Sequence, residues 1–184
     1  MNKSKNIFRV WAPFAVVICA FSGLAYITVQ QSERQGANDP QIQMAEDAAA
    51  ALDGGETIDT VIPKAQVEMS TSLAPFIVVY DADGKPTASS GLLNGKMPDY
   101  PKGALDSAKA SGENRVTWQP TGTARIASVV VPFNGGFVMA GRNMREVEKR
   151  ESQTEMYAGV TGLLALIATL LVIVVSEFLL AEKK

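Results

Sequence analysis

Tyr157 to Ser176 reads YAGVTGLLALIATLLVIVVS, twenty residues without a charge. As a helix, a run of that length covers about 30 Å, one bilayer core. Backbone in hydrocarbon must satisfy its own hydrogen bonds, so the run is expected to be one unbroken helix. The charged stretch before it, RNMREVEKRESQTEM (Arg142 to Met156), also favours helix. The spacing therefore predicts one rod from about Asn143 to about Leu180. Only eight residues follow Ser176, which predicts that no folded unit lies beyond the rod.

A second apolar block, Val10 to Val29, reads VWAPFAVVICAFSGLAYITV. A cleaved signal peptide would have a shorter apolar core and an A-x-A-like site. This run is longer and has no good site after it. The bulky Ile18 before Cys19 also disfavours a lipoprotein. A retained transmembrane helix is expected. Ala15, Cys19 and Gly23 recur every four residues, a small-residue stripe that lets helices approach closely. In the second block Ala158, Gly162, Ala165 and Thr169 form a similar seam. Two partners are open for these seams: each other, or a second membrane chain, including a homodimer.

Charge orients the pair. The N-terminal nine residues carry Lys3, Lys5 and Arg9 and no acid, and the chain ends Glu182-Lys183-Lys184. Residues 30 to 156 carry 12 basic and 17 acidic side chains, 12 − 17 = −5. Basic flanks mark the cytoplasmic side. The predicted layout is a cytoplasmic tail (1–9), a transmembrane helix (10–29), an extracytoplasmic domain (30–156), a second transmembrane helix (157–180) and a cytoplasmic tail (181–184). An acidic domain without a basic stripe argues against nucleic acid. The chain has no histidine, and its one cysteine, Cys19, lies in the apolar block. A Ser-His-Asp or Cys-His constellation is therefore excluded. A Ser89 or Ser90 hydroxyl with Lys85 is a weak spacing signal, and no catalysis and no cofactor is expected.

Between the blocks, Gly36-Ala-Asn-Asp-Pro40 predicts a helix break, with Asp39 as N-cap and Pro40 at the first position of a new helix through Leu52. Asp53-Gly54-Gly55 ends that helix. Glu56 to Ser72 is ambiguous. Five strands are then expected: Pro75–Tyr80, Lys85–Ser89, Arg115–Gln119, Ala124–Pro132 and Phe137–Arg142. Asp81-Ala-Asp-Gly84 and Asn134-Gly135-Gly136 read as hairpin turns, and Pro101–Ala110 as a short helix. Asp81 and Asp83 begin like a calcium loop, but the twelfth position is Leu92, so a turn is preferred to a metal site. Short connections require antiparallel pairing. The fold class is α+β. One sheet face is expected to pack on the N-terminal helix, the other on the segment between the second and third strands.

PFIVVYDADGKPTASSG resembles the first hairpin of extracytoplasmic PAS-like sensor domains of the PDC or single-Cache type. GGFVMAGRNMREVEKRE is similar to their last strand running into the signalling helix. The resemblance covers about Pro40 to Met156. It implies a five-stranded antiparallel PAS-like sheet between two transmembrane helices, as in bacterial receptors and histidine kinases of the cell membrane. It also implies recognition of a small ligand on one sheet face, for which Tyr80, Trp118, Arg125 and Arg142 are the strand residues best suited. The family usually continues into a cytoplasmic output domain. Its absence after Ser176 limits the implication to ligand sensing or partner contact, with output on a separate membrane protein. A structural envelope subunit without ligand, and the front end of a longer receptor, are the competing readings.

Overall fold

The structure is a computed structural model. It describes residues 3–122 and 124–181, and the side chains of these except at positions 33–35, 37, 38, 180 and 181. Of the expected tail 181–184, residues 182–184 lie outside the described residues, and residue 181 belongs to the last helix. The chain divides into two compact units, Arg34–Glu148 and the pair of segments Met1–Glu33 with Lys149–Lys184.

Within Arg34–Glu148, α2 (Ile58–Val61) and β1 (Val67–Glu68) follow the end of α1 (Lys3–Asp53). Then come β2 (Phe76–Asp81), β3 (Pro86–Ser89), β4 (Gly91–Leu92), α3 (Lys102–Ser111), β5 (Asn114–Thr121), β6 (Ala124–Phe133) and β7 (Gly136–Asn143). Helix α4 (Arg145–Ala181) begins one residue after β7 ends. The main sheet has five antiparallel strands in the order β3-β2-β7-β6-β5. An α+β domain with flanking helices is thus present. The five strands fall where β-branched and aromatic residues cluster, because such side chains suit a pleated, half-buried surface.

Alternation along the strands builds two cores. Phe76, Val78, Tyr80, Ile126, Val130, Phe137 and Met139 lie on the face that carries α3, with Leu105 and Ala108 from that helix. Ile77, Val79, Val129, Val138 and Ala140 lie on the other face, against Ala45, Ala48 and Ala49 of α1. The alanines let α1 approach closely. Its C-terminal end is tied to the β6–β7 turn, where Asn134 N–H donates to Asp53 Oδ1 at 2.8 Å.

The expected break at Gly36–Pro40 does not occur: α1 runs unbroken from Lys3 to Asp53. Gly36 and Pro40 stand four apart, so the N–H that proline lacks is the one that would bond the Gly36 carbonyl. The lost rung and the crowding of that carbonyl by the ring together cost about 3 kcal/mol, and they are local. Helix extends on both sides, and propagation is far more favourable than a new start. The alanine-rich segment after Pro40 combines strong helix propensity with burial on the sheet.

That burial includes one anomaly. Gln41 is fully buried, one turn before Ala45, and neither amide atom has a hydrogen-bond partner among the described residues. Leaving a buried polar group unmade costs about 1–3 kcal/mol. Gln41→Met keeps the volume and removes the polar atoms. It is expected to stabilise the domain by about 1 kcal/mol, a rise of several degrees in Tm, read by thermal unfolding of the full chain in micelles. A fall in Tm would mean that the amide is satisfied in solution.

The segments Lys3–Ser32 and Arg145–Leu179, which supply most of the other unit, each contain a stretch long and apolar enough to cross a membrane. Large apolar side chains point outward along both, Phe14, Phe21, Leu164 and Leu171 among them. The two apolar segments run antiparallel: Asn6 Nδ2 donates to Glu177 Oε1 at 2.6 Å, and Trp11 Nε1 to the Leu166 carbonyl at 3.2 Å.

Candidate functional site

Burial and sheet register decide what the four candidate ligand residues can do. Trp118 pairs with Ile126 across the β5–β6 ladder, so it shares the α3 face with Tyr80. Arg125 and Arg142 alternate onto the opposite face, in step with Val129 and Val138. The four residues therefore form two pairs separated by the sheet and do not converge on one ligand.

The aromatic pair belongs to a packed cluster. Tyr100, in the loop before α3, stands between Tyr80 (ring centroids 6.0 Å apart) and Trp118 (5.0 Å, edge to face). Tyr80 Oη donates to the Pro98 carbonyl at 3.1 Å. The Tyr100 and Ser128 hydroxyls are 2.8 Å apart, and Ser128 Oγ in turn donates to the Val116 carbonyl at 2.9 Å. With Tyr80, Ile126 and Met139 at zero exposure, this face is filled by its own side chains.

Burial, then the neighbouring Tyr100 and Asp99, push the Tyr80 phenol far above its usual range. Burial also raises Tyr100, against the Ser128 hydrogen bond. The unfolded chain ionises its phenols near pH ~10, whereas the folded domain holds these two protonated. Above that pH the unfolded state binds fewer protons, so the stability present below about pH 10 is lost as pH rises. The urea midpoint of the full chain is expected to drop more steeply between pH 8 and pH 11 than that of Tyr80→Phe. Equal drops would show that the phenol is not protected.

The arginines are engaged. Arg125 is exposed, and its Nη1 donates to Glu148 Oε1 at 2.6 Å. Arg142 is half-buried, and its Nε donates to the Leu73 carbonyl at 3.2 Å. The Asp81 carboxylate accepts from the N–H groups of Asp83 (3.0 Å) and Lys85 (2.8 Å), and Gly84 takes φ +82°, so Asp81-Gly84 is a capped turn. Ser90 Oγ, fully buried, accepts from Ile77 N–H at 2.9 Å, and Ser89 Oγ turns to the Gly91 backbone. Both hydroxyls are thus engaged with nearby backbone groups. Among the described residues no three acidic or cysteine groups gather as a metal site. A groove of about 450 Å³ at one end of the sheet is lined by Asp53, Lys109, Asn134 and Phe137, among others, and by none of the four candidates.

Two residues outside the expected set organise the domain's loops. The Glu68 carboxylate accepts from Ser70 Oγ at 2.8 Å and from the N–H groups of Asn94 (3.2 Å) and Gly95 (3.3 Å). The Ser70 bond first, with the backbone bonds, holds its pKa below the ordinary range. Asn143, 5% exposed, donates through Nδ2 to the Met69 and Ser70 carbonyls and accepts Arg145 N–H at 2.9 Å. An asparagine just before the charged helical stretch is a readable capping signal, but its link to residues 69 and 70 has no local signature.

In the helical pair, Ala158, Gly162, Ala165 and Thr169 all lie on the half-buried stripe of α4. A Cβ on Gly162 would meet Ser22 Oγ at 2.9 Å. The facing stripe of α1 is Trp11, Ala15, Ile18, Ser22 and Tyr26. Ala15 is therefore in the seam, and Cys19 is exposed at its border. A Cβ added to Gly23 would meet nothing within 4 Å. A strict spacing of four drifts around a helix of 3.6 residues per turn, which carries Gly23 away from the contact. No family model, curated protein or solved structure matches the chain.

Proposed function

We propose that the chain is a membrane-anchored extracytoplasmic module of PAS-like type, which senses a small ligand or a partner protein and signals through its transmembrane helices to a separate membrane protein. The observation that carries this reading is covalent. Helix α1 contributes its C-terminal part to one core and its N-terminal part to an apolar segment, and β7 passes into α4 through Met144 alone. A change in the sheet is thus attached to both apolar helices by continuous backbone. A first hairpin (β2–β3) and a last strand running into the exit helix are the features on which the PAS-like resemblance rests. The outward apolar side chains of both helices support the bilayer as solvent. The basic N-terminal flank supports cytoplasmic ends and an outer domain in the cell membrane.

A second reading, a structural envelope subunit without ligand, is favoured by the filled aromatic face and the engaged arginines. The two readings separate in one experiment. The full chain in micelles is screened by thermal unfolding against amino acids, dicarboxylates and amines. A binder at a hundred times its Kd adds about 2.7 kcal/mol of stability. A flat screen, with a membrane protein co-purifying at fixed stoichiometry, removes the small-ligand reading. Placement of the domain is tested with Lys102→Cys in a Cys19→Ala background. An impermeant maleimide is expected to label it in intact cells, and labelling only after permeabilisation would put the domain inside.

A further inference from the structure

Residues 67–73 cross from the loop before α3 to the root of α4, and both ends of the crossing are held. At the first end, β1 pairs in parallel with β4: Val67 N–H donates to the Ser90 carbonyl and Met69 N–H to the Leu92 carbonyl, each at 2.8 Å. Glu68 then gathers the Asn94 and Gly95 N–H groups. Both residues take left-handed backbone (φ 53° and 74°), so their consecutive N–H groups form a concave cradle for a carboxylate. At the second end, side chains of the β7–α4 junction donate to the carbonyls of the crossing strand. Asn143 reaches Met69 (2.9 Å) and Ser70 (3.3 Å), Arg145 reaches Thr71 (3.3 Å), and Arg142 reaches Leu73 (3.2 Å).

The same Asn143 side chain accepts the Arg145 N–H, within the first turn of α4. It cannot turn away from the crossing strand without also leaving that N–H. Several of these bonds are already 3.2–3.3 Å long. Bonds of that length are weak, whereas Asn143 to the Met69 carbonyl (2.9 Å) and the Val67 and Met69 backbone bonds (2.8 Å) are the firm attachments of the strap.

We propose that residues 67–73 are a coupling strap: the conformation of the 91–95 loop and the ordering of the first turn of α4 depend on each other through Glu68 and Asn143. This deepens the sensing reading by giving its route, and rests on that reading only for its biological use. The coupling itself needs no ligand.

The test is amide hydrogen exchange on the full chain in micelles. Glu68→Ala is expected to speed exchange at Asn94 and Gly95, and also at Arg145, by about tenfold or more, while Val129 and Val130 in β6 change less than about twofold. In the other direction, Asn143→Ala is expected to speed exchange at Met69 and Gly95 by a similar factor. Acceleration confined to residues 94 and 95 in the first variant overturns the proposal. If either variant loses protection throughout the sheet, Glu68→Gln and Arg145→Gln take their places and are judged by the same amides. A coupled strap in a chain that no compound stabilises, and with which a membrane protein co-purifies at fixed stoichiometry, leaves this inference standing and removes the small-ligand reading. An uncoupled strap in a chain that binds a compound does the reverse.

Discussion

Gly136→Ala is expected to destabilise the domain by about 3 kcal/mol or more, at or above the upper end of ordinary overpacking. A Cβ on Gly136 would sit 2.0 Å from the Tyr80 carbonyl oxygen and 2.8 Å from the Asp81 carbonyl carbon. Both are backbone atoms of β2, so no rotamer change relieves the clash. Gly136 is paired on both sides, with Asp81 of β2 and Phe133 of β6. Relief therefore requires the central strand to part from a neighbour. Gly135 is the matched control. Its added Cβ would meet the edge of the Phe133 ring at 2.7 Å, a side chain that can swing aside. Urea titrations in a Trp11→Phe background, where Trp118 is the remaining tryptophan, give both values. A Gly136→Ala midpoint close to that of Gly135→Ala would show that the strand ends yield more easily than the geometry implies.

Phe76→Ala carries the second large effect, about 3–5 kcal/mol. Phe76 is 1% exposed, and its ring occupies space that two glycines leave open. A Cβ on Gly91 or on Gly141 would each come within 2.6 Å of it. The ring therefore joins β4 to the main sheet. The two glycines should also be conditional. Gly141→Ala is expected to be costly in the wild-type chain and milder beside Phe76→Ala, with a coupling of about 1 kcal/mol or more in a double-mutant cycle. Additive losses would mean that the ring does not fill the Gly141 site. The nearby Ile126 methyl, 3.0 Å from that position, leaves a residual cost in either background.

The parts of the fold legible in sequence are those with a local cause. Phe76–Tyr80 and Val129–Val131 announce strands by β-branching, and Asn134-Gly135 announces the β6–β7 turn. The two-residue strands β1 and β4 announce nothing, because their pairing is parallel and links residues 24 apart (Val67 and Gly91). At Pro40 of helix α1 the local rule fails, because it counts one lost rung and does not see the sheet waiting beyond it. The candidate site is only half legible. Parity along β7 puts Arg142 with Val138, but that Trp118 and Arg125 fall on opposite faces depends on the β5–β6 register. That register shifts between Trp118 and Thr121, around Pro120 of an edge strand. Tyr100 lies in a proline-flanked loop with no periodicity, and only the folded chain brings it between Tyr80 and Trp118.

The central place of β7 sets the order in which the chain can be assembled. It is the last strand to be synthesised and the one that bonds both β2 and β6. Until it arrives, β2–β3 and β5–β6 are two hairpins with no ladder between them. Isolated hairpins are marginal in water. The sheet therefore closes late on the ribosome, as the residues of α4 follow β7 out of the exit tunnel, and a nascent chain stopped before Gly136 is expected to present open strand edges to chaperones.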